Sequence, residues 1–102
     1  MNDKDAKYQV AVETEVKKIS SGKLDKFKLL APLTNHSFTV AGKQYAGILI
    51  YFPPSNLNNR HSVALKIERK LLVGYRSFLA GFAFNNEGEV LPISEELLYS
   101  CD

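Results

Sequence analysis

The sequence predicts a mainly β fold, a small antiparallel barrel or sandwich of about six to seven strands with a short C-terminal helix. Two observations predict this class. In several short segments apolar residues alternate with polar ones, which is the period of a strand with one buried face. Clusters of Gly, Asn, Ser and Pro, which form turns, separate these segments at spacings of roughly 10–15 residues.

Bulk composition is typical of one globular domain that covers residues 1–102. The 102 residues are 45% hydrophobic and 24% charged. Residues 1–6 are polar and are expected to be frayed. No apolar run approaches the roughly 18 residues of a membrane span, and the N-terminus lacks an apolar signal core, so we expect a cytoplasmic protein without membrane association. The single Cys101 agrees, because it permits no intrachain disulfide.

The first predicted strand covers residues 8–16. Tyr8, Val10 and Val12 lie on one side of a two-residue alternation whose other side is mostly polar, and β-branched residues favour strands. A helix would also bring Tyr8, Val12 and Val16 together, but it would leave Val10 on its polar side. The strand is therefore the preferred interpretation.

Two turns and a weaker strand follow. Residues 20–23 are predicted to form the first turn because they contain Ser, Ser and Gly. Phe27, Leu29 and Ala31 alternate with Lys26 and Lys28, which predicts a weaker strand at residues 27–31 that ends at Pro32. The polar residues 34–37 are predicted to form the second turn.

A hairpin is predicted around Gly42, between strands at residues 37–41 and 44–52. Glycine adopts the positive φ that a tight hairpin turn requires. The segment Tyr45–Phe52 lacks a polar face, because both of its alternating sets of side chains are apolar or aromatic. Small antiparallel sheets usually leave one face solvated. The second face of this strand therefore requires a cover, either from the same chain or from a partner.

The segment 62–75 fits two structures. Val63, Leu65 and Ile67 alternate with less apolar residues, which favours a strand. Ser62 could instead cap a helix made of good helix formers. We favour the strand and keep the helix as the alternative.

The remaining elements are short. Residues 78–84 predict a strand, 85–88 a turn, and 89–93 a short strand that Pro92 interrupts. A terminal helix follows Ser94, because serine is a favoured N-cap and the two glutamates after it suit the positive end of the helix dipole.

The order of these elements resembles the β-barrel domains of elongation factor Tu-like translation factors. The segments that carry the resemblance are a valine-rich first strand, a hairpin, a strand of the type Val-Ala-Leu-Lys-Ile, and a closing hairpin; they are residues 8–16, 38–47, 63–67 and 81–90. The resemblance implies a barrel architecture over residues 8–93. The glycine-and-arginine loop of that family is replaced here by Ser20-Ser-Gly-Lys. For that reason the resemblance implies no binding residue.

No segment indicates catalysis. His36 and His61 each lie beside a serine, but adjacent residues of a strand face opposite sides, so both are interpreted as plain loop histidines. The sequence has no pair of Cys or His at metal-ligand spacing and no glycine-rich phosphate loop. We expect no catalytic residue, metal or cofactor, and we favour a non-enzymatic protein.

Protein binding is the preferred function. Tyr45, Leu49 and Tyr51, or the opposite set of the same strand, would form an apolar face, and exposed apolar faces rich in Tyr mark interfaces. The partner would be another protein or a second copy of the chain, in an accessory, regulatory or inhibitor-type role. The competing interpretation is structural: the tail with Leu97, Leu98 and Tyr99 would cover this strand as core.

Nucleic-acid binding is the alternative function. The net charge is only +2, but residues 60–76 carry five basic residues against one acidic residue, whereas residues 77–102 carry only acidic charges. The residues predicted to bind an anion or a nucleic acid are Arg60, Lys66, Arg69, Lys70 and Arg76. The structural alternative is that these charges pair with the acidic tail or solvate strand faces.

Overall fold

The protein is described here by a computed structural model that covers residues 3–29, 31–54 and 59–101. One long helix packs against a five-stranded antiparallel sheet with the strand order β1-β2-β3-β4-β5. The elements are helix α1 (Asp3–Ser20), a 3-10 turn (Asp25–Leu29), strands β1 (Leu33–Val40), β2 (Lys43–Phe52), β3 (His61–Lys70), β4 (Tyr75–Phe84) and β5 (Val90–Leu91), and helix α2 (Glu95–Ser100). A mainly antiparallel β fold with a short C-terminal helix is confirmed, with five strands among the described residues.

The prediction of a first strand at residues 8–16 is wrong, because this segment lies inside α1. The buried residues Ala11, Val12, Glu15, Val16 and Ile19 recur with helical spacing and face the sheet. Val10, the residue that argued against a helix, is 56% exposed and lies on the solvent side. The predicted strand at residues 27–31 is also wrong at residues 27–29, because the 3-10 turn there buries Phe27 in the core; residue 30 lies outside the described residues.

Helix α1 begins at Asp3, within the stretch that was expected to be frayed. Its anchor is Asp5, which is buried and accepts hydrogen bonds from Arg69 at the end of β3 and Arg76 at the start of β4. The sequence alone does not show this anchor, since the three residues are far apart in the chain.

The strands form a meander whose inner face meets α1. The preferred strand interpretation of the segment 62–75 is confirmed for residues 62–70, which lie in β3; residues 71–74 connect β3 to β4, which begins at Tyr75. In register, Leu49 of β2 lies opposite Leu65 of β3, and Leu65 lies opposite Ala80 of β4. Leu65 is fully buried, and it belongs to one hydrophobic cluster that also contains residues of α1 and the 3-10 turn.

The hairpin between β1 and β2 is confirmed, with a longer first strand than predicted. Ala41 and Gly42 occupy the turn with φ angles of 52° and 78°, as the common two-residue hairpin turn requires. Residues 34–37, predicted as a turn, belong to β1 instead and pair with β2.

The C-terminal segment crosses the outer face of the sheet, which is the face opposite α1. A Cβ atom on Gly81 would lie 2.6 Å from the carbonyl oxygen of Val63 and 2.9 Å from Cδ1 of Ile93. Glycine at this position therefore lets Ile93 pack directly on the sheet. In the described parts of the chain, neither helix combines the length and the apolar character needed to cross a membrane.

Candidate interaction surface on β1 and β2

The two sides of β2 lie in different environments. Tyr45 and Leu49 point towards α1 and are buried, and Tyr51 on the same side is half-buried. Ile48 points the other way and is 39% exposed. The strand without a polar face therefore has one side covered by the helix and one side that is partly open.

The three residues predicted to bind a partner lie on the covered side. The Tyr45 ring stacks on Phe38 at 5.4 Å and meets Tyr8 of α1 edge-on at 5.3 Å between ring centroids. Tyr51 forms a 2.6 Å hydrogen bond with His61. These contacts belong to the folded core. A partner-binding role for Tyr45, Leu49 and Tyr51 stays a prediction.

The open side carries a contiguous apolar surface, which we call the outer patch: Leu33, Ile48, Ile50 and Phe52. Leu33 of β1 lies directly opposite Ile50, and it is 65% exposed. Ile50 and Phe52 are half-buried on the same side of β2. Leu33 was not predicted to lie on this surface, because the turn predicted at residues 34–37 left it outside a strand.

The tail covers a different part of this outer face. Ser62 and Ala64 of β3 and Ala83 of β4 are almost fully buried, and Ile93 packs over Gly81 between these strands. Helix α2 contacts β4. The chain thus provides its own cover for β3 and β4, and the outer patch on β1 and β2 remains partly exposed.

Two of the five predicted anion-binding residues share one buried carboxylate. Arg69 Nη1 donates to Asp5 Oδ1 at 2.5 Å, and Arg76 Nη1 donates to Asp5 Oδ2. Arg69 and Arg76 lie directly opposite each other on β3 and β4, so the Asp5 carboxylate separates two like charges. Burial acts to raise the pKa of Asp5, but the two guanidiniums outweigh it and hold the pKa below its ordinary value.

The other three basic residues of the block lie at other places along β3 or beside its first residue. Lys66 lies on the outer face and pairs with Glu68 at 3.7 Å. Lys70 ends β3, whereas Arg60 precedes its first residue. Ten residues of extended chain separate Arg60 from Lys70, about 30 Å. The block that looks continuous in the sequence is thus divided between both faces and both ends of β3.

Both histidines lie in strands and have defined partners, so their interpretation as plain loop residues is wrong. His36 Nε2 lies 2.6 Å from Oε2 of Glu15, which joins β1 to α1. His61 Nε2 lies 3.0 Å from Oδ1 of Asn86, an oxygen that only accepts. In the neutral ring Nε2 therefore donates, and Nδ1 accepts the proton of the Tyr51 hydroxyl.

These histidine contacts tie together separate elements of the fold. The His61 ring also stacks on Phe84 at 4.8 Å, and burial raises the pKa of Tyr51. Among residues 3–29, 31–54 and 59–101, no group of three or more His, Cys, Asp or Glu side chains is arranged to hold a metal ion. The Glu15–His36 contact was not predicted from the sequence, because it depends on α1 being a helix, and the alternation of residues 8–16 indicated a strand.

Comparison with protein families, with curated proteins and with solved structures finds no match to this chain. The resemblance to elongation factor Tu-like barrels stays a prediction, although its first strand is replaced by α1.

Proposed function

We propose that the chain is a non-enzymatic protein-binding module that binds its partner through the outer patch. One observation carries this proposal. The outer face of the sheet is covered by the chain's own tail over β3 and β4, but on β1 and β2 Leu33 and Ile48 remain exposed and Ile50 and Phe52 remain half-buried. Contiguous exposed apolar side chains on a soluble domain mark interaction surfaces.

The surroundings of the patch suit a protein partner. The outward side chains of β1 beyond Leu33 are Asn35, Ser37 and Thr39, all exposed and uncharged. They form a polar rim beside an apolar centre, which is the usual anatomy of a protein interface. Full burial of one Leu or Ile side chain contributes roughly 1.5–3 kcal/mol, so four partly exposed side chains supply a moderate driving force.

The histidine contacts support a binding role over a catalytic one. The Glu15–His36 contact joins α1 to β1, and the contacts of His61 join β2, β3 and the turn before β5. In each case the polar side chain satisfies another polar group of the fold, as buried polar groups usually do.

Photo-crosslinking from a single position tests the proposal. A photoreactive amino acid replaces Ile48 in one variant and Val10 in the matched control, because Val10 is also apolar and exposed but lies on α1, away from the outer face. We expect irradiation in cells to give a discrete crosslinked protein species from position 48 and none from position 10. The same products from both positions, or none from position 48, would contradict the proposed function.

A further inference from the structure

The two edges of the sheet differ in how they are protected. On the β4 edge, Gln9 of α1 donates from Nε2 to the carbonyl oxygen of Leu79 at 3.2 Å. Strand β5 pairs with Ala83 and Phe84 at the end of the same edge. The chain therefore caps parts of the β4 edge with its own groups.

The β1 edge lacks the devices that normally prevent edge pairing. Strand β1 is eight residues long and contains no charged residue and no proline. Its register with β2 runs without a bulge from Leu33 opposite Ile50 to Val40 opposite Lys43. Natural edge strands are usually short, charged, bulged or interrupted by proline, because an open edge pairs with other chains.

The hairpin turn determines which backbone groups of β1 point outwards. A two-residue turn at Ala41 and Gly42 makes Val40 and Lys43 a hydrogen-bonded pair, and such pairs alternate with non-bonded pairs along the hairpin. The 3.0 Å hydrogen bond from the Tyr51 N–H to the Pro32 carbonyl oxygen fits this alternation, because Pro32 and Tyr51 lie an even number of residues away from Val40 and Lys43. The residues that direct N–H and C=O away from β2 are thus Leu33, Asn35, Ser37 and Thr39.

We propose that a second copy of the chain adds its β1 to this edge, antiparallel, around a two-fold axis at His36. This register places Leu33 opposite the partner's Thr39 and Asn35 opposite the partner's Ser37. All four outward-facing residues of each copy then lie in hydrogen-bonded pairs. A shift by two residues in either direction leaves outward groups at one end of each strand unpaired.

The chemistry of β1 favours a second copy over a foreign strand. A two-fold contact places each residue of β1 opposite a residue of the same strand in the second copy. Because β1 carries no charged residue, this pairing avoids repulsion between like charges. At the axis His36 faces the partner's His36, and each ring keeps its own Glu15 carboxylate as partner. The joined sheets place both outer patches on one face and both α1 helices on the other.

This inference goes beyond the proposed function, because the second copy pairs with the β1 edge and leaves the outer patch open. Proline at position 37 tests it, because the Ser37 N–H points away from β2 and its loss leaves the β1–β2 ladder intact. We expect wild type and the control Ser37→Ala to double in mass with concentration in light scattering, and Ser37→Pro to stay monomeric with unchanged circular dichroism. A wild type that is monomeric at every concentration, or a dimeric Ser37→Pro, would overturn the inference.

Disulfide trapping in a Cys101→Ser background tests the register. We mix Asn35→Cys protein with differently tagged Ser37→Cys protein, because paired residues lie about 5.5 Å apart between Cα atoms, within disulfide range. The mixed disulfide should form fastest, and the control Thr39→Cys should form none, because its two copies lie about 20 Å apart. Equal trapping at position 39 would overturn the register.

The two proposals fail in different ways. A monomeric wild type that still crosslinks a foreign protein from position 48 would contradict pairing with a second copy and would support the binding function. A dimer whose outer patch crosslinks nothing from position 48 removes the binding function and leaves the dimer.

Discussion

Ile48 and Leu49 are neighbours in β2 and lie on opposite sides of the sheet: Leu49 is 5% exposed beneath α1, whereas Ile48 is 39% exposed on the outer face. The contrast defines which side of the apolar strand belongs to the core. It also provides a matched pair of substitutions, because the same new residue meets two environments one position apart.

We expect Leu49→Glu and Ile48→Glu to differ sharply in stability. Leu49→Glu buries a charge in the core and should lower the free energy of unfolding by at least about 3 kcal/mol. Ile48→Glu lies opposite Lys66 and should change it by no more than about 1 kcal/mol. Urea unfolding followed by circular dichroism measures both. Equal losses of stability would show that both sides of β2 are core.

Asp5 should make the stability of the protein depend on acid pH. Its pKa is lowered in the folded state, so its contribution is present above the unfolded pKa and is lost as pH falls through the folded pKa. We expect the free energy of unfolding to decrease as pH falls below about 4. The variant Asp5→Asn should lack this part of the pH dependence and leave Arg69 and Arg76 facing each other.

Urea unfolding of wild type and Asp5→Asn over a range of acid pH values measures the effect. The control is Asp3→Asn, because Asp3 lies in the same helical turn and is exposed. Parallel pH profiles for wild type and Asp5→Asn would contradict the role of Asp5 as the anchor of α1.

Gly81→Ala should loosen the tail from the outer face. The new Cβ meets the backbone of Val63 and the side chain of Ile93, and overpacking of this kind costs roughly 1–3 kcal/mol. Burial raises the pKa of the Cys101 thiol beyond α2, so a detached tail should react faster with a thiol reagent. Gly22→Ala is the control, because its Cβ makes only an ordinary 3.5 Å contact. Unchanged Cys101 reactivity in Gly81→Ala would contradict the packing of Ile93 on Gly81.

Oligonucleotide binding should be absent, because the basic residues of the block 60–76 do not form one surface. Arg69 and Arg76 share the Asp5 carboxylate, and Arg60 lies at the far end of β3 from Lys70. We expect no measurable affinity for labelled single- or double-stranded DNA at low salt. Binding that weakens steeply with salt and is lost in Lys70→Ala would instead favour the nucleic-acid function.

The parts of the fold that local patterns determine were predictable from the sequence. Gly42 marked the hairpin, the alternation around Leu65 marked β3, and Ser94 preceded the terminal helix. The helix at residues 8–16 was not predictable, because valines at alternate positions fit one face of a strand, and Val12 and Val16 also fit one face of a helix. The exposure of Val10 decides between the two, and exposure depends on tertiary packing.

The candidate surface was predictable only in part for the same reason. The sequence identified Tyr45–Phe52 as a strand in need of a second cover, but the open side depends on where α1 packs. Leu33 joins the surface only through its register opposite Ile50. The outward backbone groups of β1 follow from the exact turn at Ala41 and Gly42, which composition does not fix.

Amide hydrogen exchange at β1 tests most directly the claim that β1 pairs with a second copy of the chain through its outward backbone groups. The amides of Phe38 and Val40 bond to β2 and should exchange slowly at every protein concentration. The amides of Asn35, Ser37 and Thr39 point outwards, and we predict slow exchange at high concentration that becomes fast on dilution. Fast exchange of these three amides at every concentration, with and without cell extract, would contradict the claim.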